Sequence, residues 1–325
     1  MGAGGSSMQL EPAQRAVSSR SSSLRFVCAD VGYLGAHLYL TPFHKYCLLR
    51  NHLIGERMAC EDDFLAPNPI GDGDLLLVHC PGYIERLRLD LLTLDERTLL
   101  ELPWCPSLQK AFWLWTGGTV LAARLALREG IGFHIGGGFH HAFPDHGEGF
   151  CAINDVGVAI RVLQREGAMR KALVVDLDAH QGNGTATLFQ RDPTVFTFSM
   201  HGARIYPGVK PDSDLDIALE DDVGDEEYLT RLKQAYIPLL SSFRPEFIVY
   251  IAGADPYWKD PLGGILGLTA GGLLRRDVLV IESARQQRIP IVITLGGGYT
   301  TPLWKTVRLH ANTVRCALAE KANEG

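Results

Sequence analysis

Ala172-Leu173-Val174-Val175-Asp176-Leu177-Asp178-Ala179-His180-Gln181-Gly182-Asn183-Gly184-Thr185 is an apolar run that ends in three ionisable groups, and its reading decides the fold. The run has no polar alternation, which is how a strand buried on both faces of a parallel sheet reads in sequence. Side chains along a strand alternate between faces, so Asp176, Asp178 and His180 project to one side. Such groups cannot be buried alone without a cost of several kcal/mol each; they must pair, neutralise or bind a cation. A structural ion-pair cluster and a metal site both satisfy that demand.

Working outward, short apolar runs recur at 24–28, 132–135, 195–199, 247–251 and 289–295. Between them lie segments with helical spacing at 108–129, 156–165, 226–240, 273–287 and 303–318. This alternation predicts an α/β protein with a mostly parallel central sheet and helices on both faces. From Leu24 onward there is no low-complexity linker and no solenoid repeat, so 24–325 reads as a single domain. Four strands end in unusual chemistry: Gly136-Gly137-Gly138-Phe139-His140-His141, Asp176 to His180, Ala252-Gly253-Ala254-Asp255, and Gly296-Gly297-Gly298-Tyr299. The carboxyl ends of strands in an open α/β sheet share the edge where ligands bind, so these tips are expected to converge.

The chain has 325 residues, 46% hydrophobic against 21% charged, as in soluble globular proteins. Its 31 Lys+Arg against 37 Asp+Glu give a formal charge of -6, which disfavours direct nucleic-acid binding. Seven scattered cysteines without a C-x-x-C suggest neither a disulfide scaffold nor a zinc knuckle, and fit a reducing compartment. No apolar run approaches the roughly 18 residues of a membrane span. The expected location is cytoplasmic, or nuclear in a eukaryote. Residues 1–23 are rich in Gly and Ser and read as a disordered tail or an appended leader; Met1-Gly2 with Ser6 also matches a myristoylation pattern.

Asp255 on a second strand tip joins Asp178 and His180 as an O/O/N donor set without thiolate, which suits one catalytic Zn²⁺ with open positions. Fe²⁺ accepts the same donors. Adjacent loop histidines usually do nothing, but His140-His141 sit at a strand end beside this set, where imidazole can exchange protons near neutral pH. Tyr299, after its glycine turn, could donate its hydroxyl to an oxyanion. There is no P-loop, G-x-S-x-G or H-E-x-x-H. Asn183-Gly184-Thr185 is a glycosylation sequon inside the metal-bearing motif and is discounted, and Cys151 reads as a buried, inert thiol.

Taken together these motifs, with Glu148-Gly149-Phe150-Cys151-Ala152-Ile153-Asn154-Asp155, resemble the histone deacetylase family of the arginase-deacetylase fold. The Asp-Ala-His-Gln-Gly-Asn-Gly form, with Ile205-Tyr206-Pro207-Gly208, looks more like class IV and bacterial members than class I. The resemblance implies a zinc-dependent amidohydrolase that removes acetyl or long-chain fatty acyl groups from N-ε-acyl-lysine by metal-activated water. Asp178, His180 and Asp255 would hold the zinc, Asp176 would orient His140, His141 would be general base and then acid, and Tyr299 would support the oxyanion. Gly149, Phe150 and Tyr206 would line the substrate tunnel. A structural K⁺ site is implied near Asp176, Asp178, His180 and Ser199. Asn183 stands where class I has an aspartate behind the second histidine, so His141 is expected to be less basic.

The implied partner is an acyl-lysine protein or peptide. An acetylpolyamine deacetylase is the alternative, and would be expected to carry an acidic gate at the tunnel mouth. A binuclear manganese ureohydrolase shares the fold, but Gly182 and Tyr257 occupy the places of its additional aspartates. A pseudo-enzyme that only binds acyl-lysine would be expected to have lost a ligand, a histidine or the tyrosine; none is lost.

Overall fold

The structure, a computed structural model, describes Met1, residues 24–31, Leu34 and residues 41–322. The readings of residues 2–23 as a tail and of Gly2 as an acylation site lie outside the described residues. Eight strands are found among those described: β1 (Phe26–Val27), β2 (Phe64–Leu65), β3 (Ile131–His134), β4 (Ala172–Asp176), β5 (Val195–Gly202), β6 (Leu215–Leu219), β7 (Phe247–Ile251) and β8 (Ile291–Thr294). They pair in parallel in the order β2-β1-β3-β8-β7-β4-β5-β6. Every residue of β3, β4, β7 and β8 is buried, so both faces of the sheet centre are covered.

The covering helices are α1 (His44–Gly55), α2 (Asp72–Leu75), α3 (Pro81–Arg88), α4 (Leu94–Leu100), α5 (Pro106–Glu129), α6 (Asp155–Arg165), α7 (Asn183–Phe189), α8 (Gly224–Ser242), α9 (Ala270–Gln286) and α10 (Trp304–Ala322). α5 starts on Pro106, whose missing N–H costs nothing at a helix start, and ends at Gly130 with φ 81°. It packs against β3 and α6, while α8, α9, α10 and α1 pack in succession. Asn154 caps α6 by accepting the Gly157 N–H at 2.8 Å, and Thr269 caps α9 by accepting that of Gly272 at 3.0 Å.

The strand order decides the site's position. β3, β8, β7 and β4 are consecutive neighbours, with Asp176 opposite Ile251 and Ile251 opposite Thr294. The four chemically unusual tips therefore leave one edge side by side. Two strands were not expected: β2 has only two residues, and β6 is an edge strand whose residues are mostly half-exposed. The run at 24–28 contributes only Phe26–Val27 to the sheet.

Candidate active site

Asp178 and His180 follow β4 and Asp255 follows β7; one ligand atom from each lies within 4.8 Å of the others, and all three are buried. His180 Nδ1 is 3.1 Å from Asp178 Oδ1 and 3.0 Å from Asp255 Oδ2. The Gly297 N–H donates to Asp178 Oδ2 at 2.6 Å, and the Ala179 N–H to Asp255 Oδ1 at 3.0 Å, so backbone aims both carboxylates. A Cβ on Gly297 would collide with the Asp255 carboxylate, which only glycine avoids here. Burial pushes the Asp255 carboxyl up to about 7, and the Asp178 carboxylate adds to the shift. Two oxygens and one imidazole nitrogen around a common point, all on buried side chains, fit a single divalent cation such as Zn²⁺ or Fe²⁺. Among the described residues no second group of three such side chains is assembled.

The two histidines have opposite surroundings. His140 Nδ1 lies 2.7 Å from Asp176 Oδ2. Burial alone would lower its pKa, but Asp176 and Asp178 outweigh burial and hold it up to about 9. His141 Nδ1 lies 2.7 Å from Asn183 Oδ1, and burial with the neighbouring His140 and His180 holds this imidazole well below its ordinary value. The two rings thus sit in surroundings that favour opposite charge states, with centroids 4.0 Å apart. The loop that carries them is fastened by Asp155, whose carboxylate accepts the N–H groups of Gly138 at 3.1 Å and Phe139 at 2.8 Å and the Thr119 hydroxyl. Gly137, at φ 70°, passes too close to Asp155 for any side chain.

A cavity of about 260 Å³ leads to these groups, with His141, His180 and Tyr299 at its lining together with Gly149, Phe150 and Tyr206. The Phe150 and Tyr299 rings are 5.9 Å apart, and Tyr206 stands edge-on to His141 at 4.9 Å. The Tyr299 N–H donates to Asp260 Oδ2 at 2.6 Å. Lys45 Nζ, buried, donates to the Gly296 carbonyl at 2.6 Å and lies 5.2 Å from the Tyr299 ring centroid; burial brings it down to about 8.

Sequence reasoning missed Lys45 and Asp260, which fix the glycine turn before Tyr299 from distant segments. Neither stands in a recognisable motif, and only the fold brings them near. Ser199 lies beside Asp176 in the β4–β5 register, and its hydroxyl pairs with His201 Nδ1 at 2.9 Å. Asn183-Gly184-Thr185 opens α7 and is buried, out of reach of glycosylation. Cys151 is also buried, and burial pushes its thiol well up, as an inert thiol requires.

Residues 43–314 match the histone deacetylase domain. The chain belongs to the histone deacetylase family. An uncharacterized protein of Picosynechococcus is 38% identical over 85% of this chain and 92% of its own length. Histone deacetylase 2 of Arabidopsis thaliana is 31% identical over 83% of this chain and 72% of its own. The acetoin utilization protein AcuC of Staphylococcus xylosus is 29% identical over 80% and 70%. The crystal structure of an HDAC homolog complexed with SAHA aligns with a TM-score of 0.74 at 24% identity, over 91% of this chain and 83% of that one. The fold is therefore the α/β arginase-deacetylase fold, and this family member is a deacetylase, a hydrolase of amide bonds.

Proposed function

We propose that this deacetylase is zinc-dependent and removes the acyl group from N-ε-acyl-lysine in a protein or peptide. The observation that carries the reading is the meeting, in and beside one cavity, of an O/N/O donor set, two histidines with opposite surroundings, and a tyrosine. Asp178, His180 and Asp255 would hold the dication, which when bound polarises the amide carbonyl and acidifies a water. His141 takes the proton from the attacking water and passes it to the leaving amine. His140, kept cationic by Asp176, holds positive charge beside the forming oxyanion, and Tyr299 donates its hydroxyl to it. Gly149, Phe150 and Tyr206 enclose the lysine stem and exclude water. The backbone around Asp176, Asp178 and His180, with Ser199, is the proposed K⁺ site.

Acetyl is the acyl group we assign. Beyond the histidines, between Lys45, Phe139 and Gly297, lies a small pocket, which favours a short acyl group over a fatty chain. An acetylpolyamine is the second reading, because Glu101 also lines the cavity and a carboxylate there suits a substrate cation. With seven free cysteines, a reducing compartment is proposed, cytoplasmic or nuclear; no helix among the described residues is long and apolar enough to cross a membrane.

The test compares one lysine peptide carrying acetyl through myristoyl groups with an acetylpolyamine. Acetyl-lysine is expected to be hydrolysed fastest, and a chelator is expected to abolish turnover, with one metal ion per chain by elemental analysis. Faster turnover of acetylpolyamine would move the assignment to the second reading, and two manganese ions per chain would overturn the mechanism. Tyr299→Phe is expected to lower kcat by about 10²–10³-fold, the loss of one oxyanion donor, with KM nearly unchanged. A near-normal kcat would remove Tyr299 from the reaction.

A further inference from the structure

An asparagine behind a catalytic histidine leaves an ambiguity that a carboxylate does not. Its amide can present either oxygen or nitrogen to the ring, and only the oxygen forces the facing ring nitrogen to carry the proton. Here the far side of the amide meets a group that can only accept. Glu148 Oε2 lies 2.9 Å from Asn183 Nδ2, and the Gly184 N–H donates to Asn183 Oδ1 at 3.0 Å. Asn183 Oδ1 therefore faces His141 Nδ1, which must donate, and the Nε2 lone pair is left bare.

The carboxylate is itself held in place. The same Oε2 accepts the Tyr206 hydroxyl at 2.9 Å, and His146 Nε2 lies 3.2 Å from Oε1. The next two N–H groups, of Gly149 and Phe150, bond the Leu99 and Leu100 carbonyls at 3.0 Å each, tying the loop to the end of α4. His146, Tyr206 and Asn183 all favour the ionised form of Glu148.

We infer that Glu148 is a positioning residue that fixes the tautomer of His141 through Asn183 and locks the Tyr206 wall to the same base. The anion expected behind this histidine is not missing but stands one side chain farther out. The inference rests on His141 acting as the base.

Three variants test it: Glu148→Gln, Asn183→Asp and the double. Glutamine keeps the shape but can both donate and accept, so only the Gly184 N–H still favours one orientation of the amide. Glu148→Gln is expected to lower kcat by about 10–100-fold, with KM within about twofold. Nitrogen-15 NMR of the metal-loaded protein should then show the His141 ring as a mixture of tautomers, where the parent shows Nδ1–H alone. Asn183→Asp sets two carboxylates face to face, which cannot both stay ionised. Adding Glu148→Gln to it restores a donor toward Asp, so the double variant should be about tenfold faster than Asn183→Asp alone.

Unchanged ring signals and kcat in Glu148→Gln would overturn the inference, as would a double variant no faster than Asn183→Asp. The NMR signature needs no substrate. A parent protein inactive on every acyl-amine would sink the deacylase reading while the tautomer is still decided on its own.

Discussion

His141→Ala is expected to lower kcat/KM on an acetyl-lysine peptide by about two to four orders of magnitude, the usual worth of a positioned general base. That corresponds to roughly 3–5.5 kcal/mol of transition-state stabilisation. The neighbouring ring cannot take over. His140 is held protonated by Asp176 at 2.7 Å, and a cation has no lone pair to accept the proton of a water. Nor can Tyr299, since burial and the nearby Asp178 and Asp255 hold its phenol well above the ordinary value, so it stays a donor. Metal content should remain at one per chain, because His141 lies outside the donor set. Steady-state kinetics at matched metal occupancy measure the effect, and a fall of less than about tenfold would be too small for a general base.

Where chemistry and strand periodicity coincided, the convergence of the strand tips could be read from sequence. Asp176, Asp178 and His180 end an apolar run, and the fully buried β4, β7 and β8 put their tips on one edge as expected. β6 escaped because Leu215–Leu219 is a short, mostly half-exposed edge strand interrupted by Asp216. Asn183 was legible as the partner of His141, but the amide's orientation was not. It is set by Glu148, 35 residues earlier, and no spacing rule links the two. Lys45, on α1, reaches a carbonyl 251 positions away. A lone lysine in a helix ordinarily reads as a solvated charge. Its burial is a tertiary effect, with α1 packed on α10 and the ammonium seated against the Gly296 turn.

Arg276 is a further residue whose place only the fold reveals. It lies on α9, is 1% exposed, and its Nη1 donates to the carbonyls of Leu177 at 3.1 Å and Gly253 at 2.7 Å. Leu177 stands between Asp176 and Asp178, and Gly253 two residues before Asp255. One guanidinium thus ties together the two loops that supply the proposed ligands. Its charge is compensated by Asp277, which accepts Nε at 2.9 Å and also takes the hydroxyls of Tyr250 at 2.5 Å and Thr313 at 2.6 Å. Removing one partner of so buried a pair leaves the other uncompensated, so Arg276→Met is expected to cost about 3–5 kcal/mol in denaturant unfolding. Methionine fills much of the volume, so the loss reports charge and hydrogen bonds rather than a void. Arg276→Met/Asp277→Leu should recover only part of it, because Tyr250 and Thr313 then lose their acceptor inside the core. The tie to both ligand loops makes a second demand on the same variant. Competition against a chelator should show weaker metal binding by about 10–100-fold, the usual effect of loosening the groups behind the ligands. A protein that unfolds as the parent does, and holds its metal as tightly, would mean that β4 and β7 alone aim the ligands and that Arg276 only fills space.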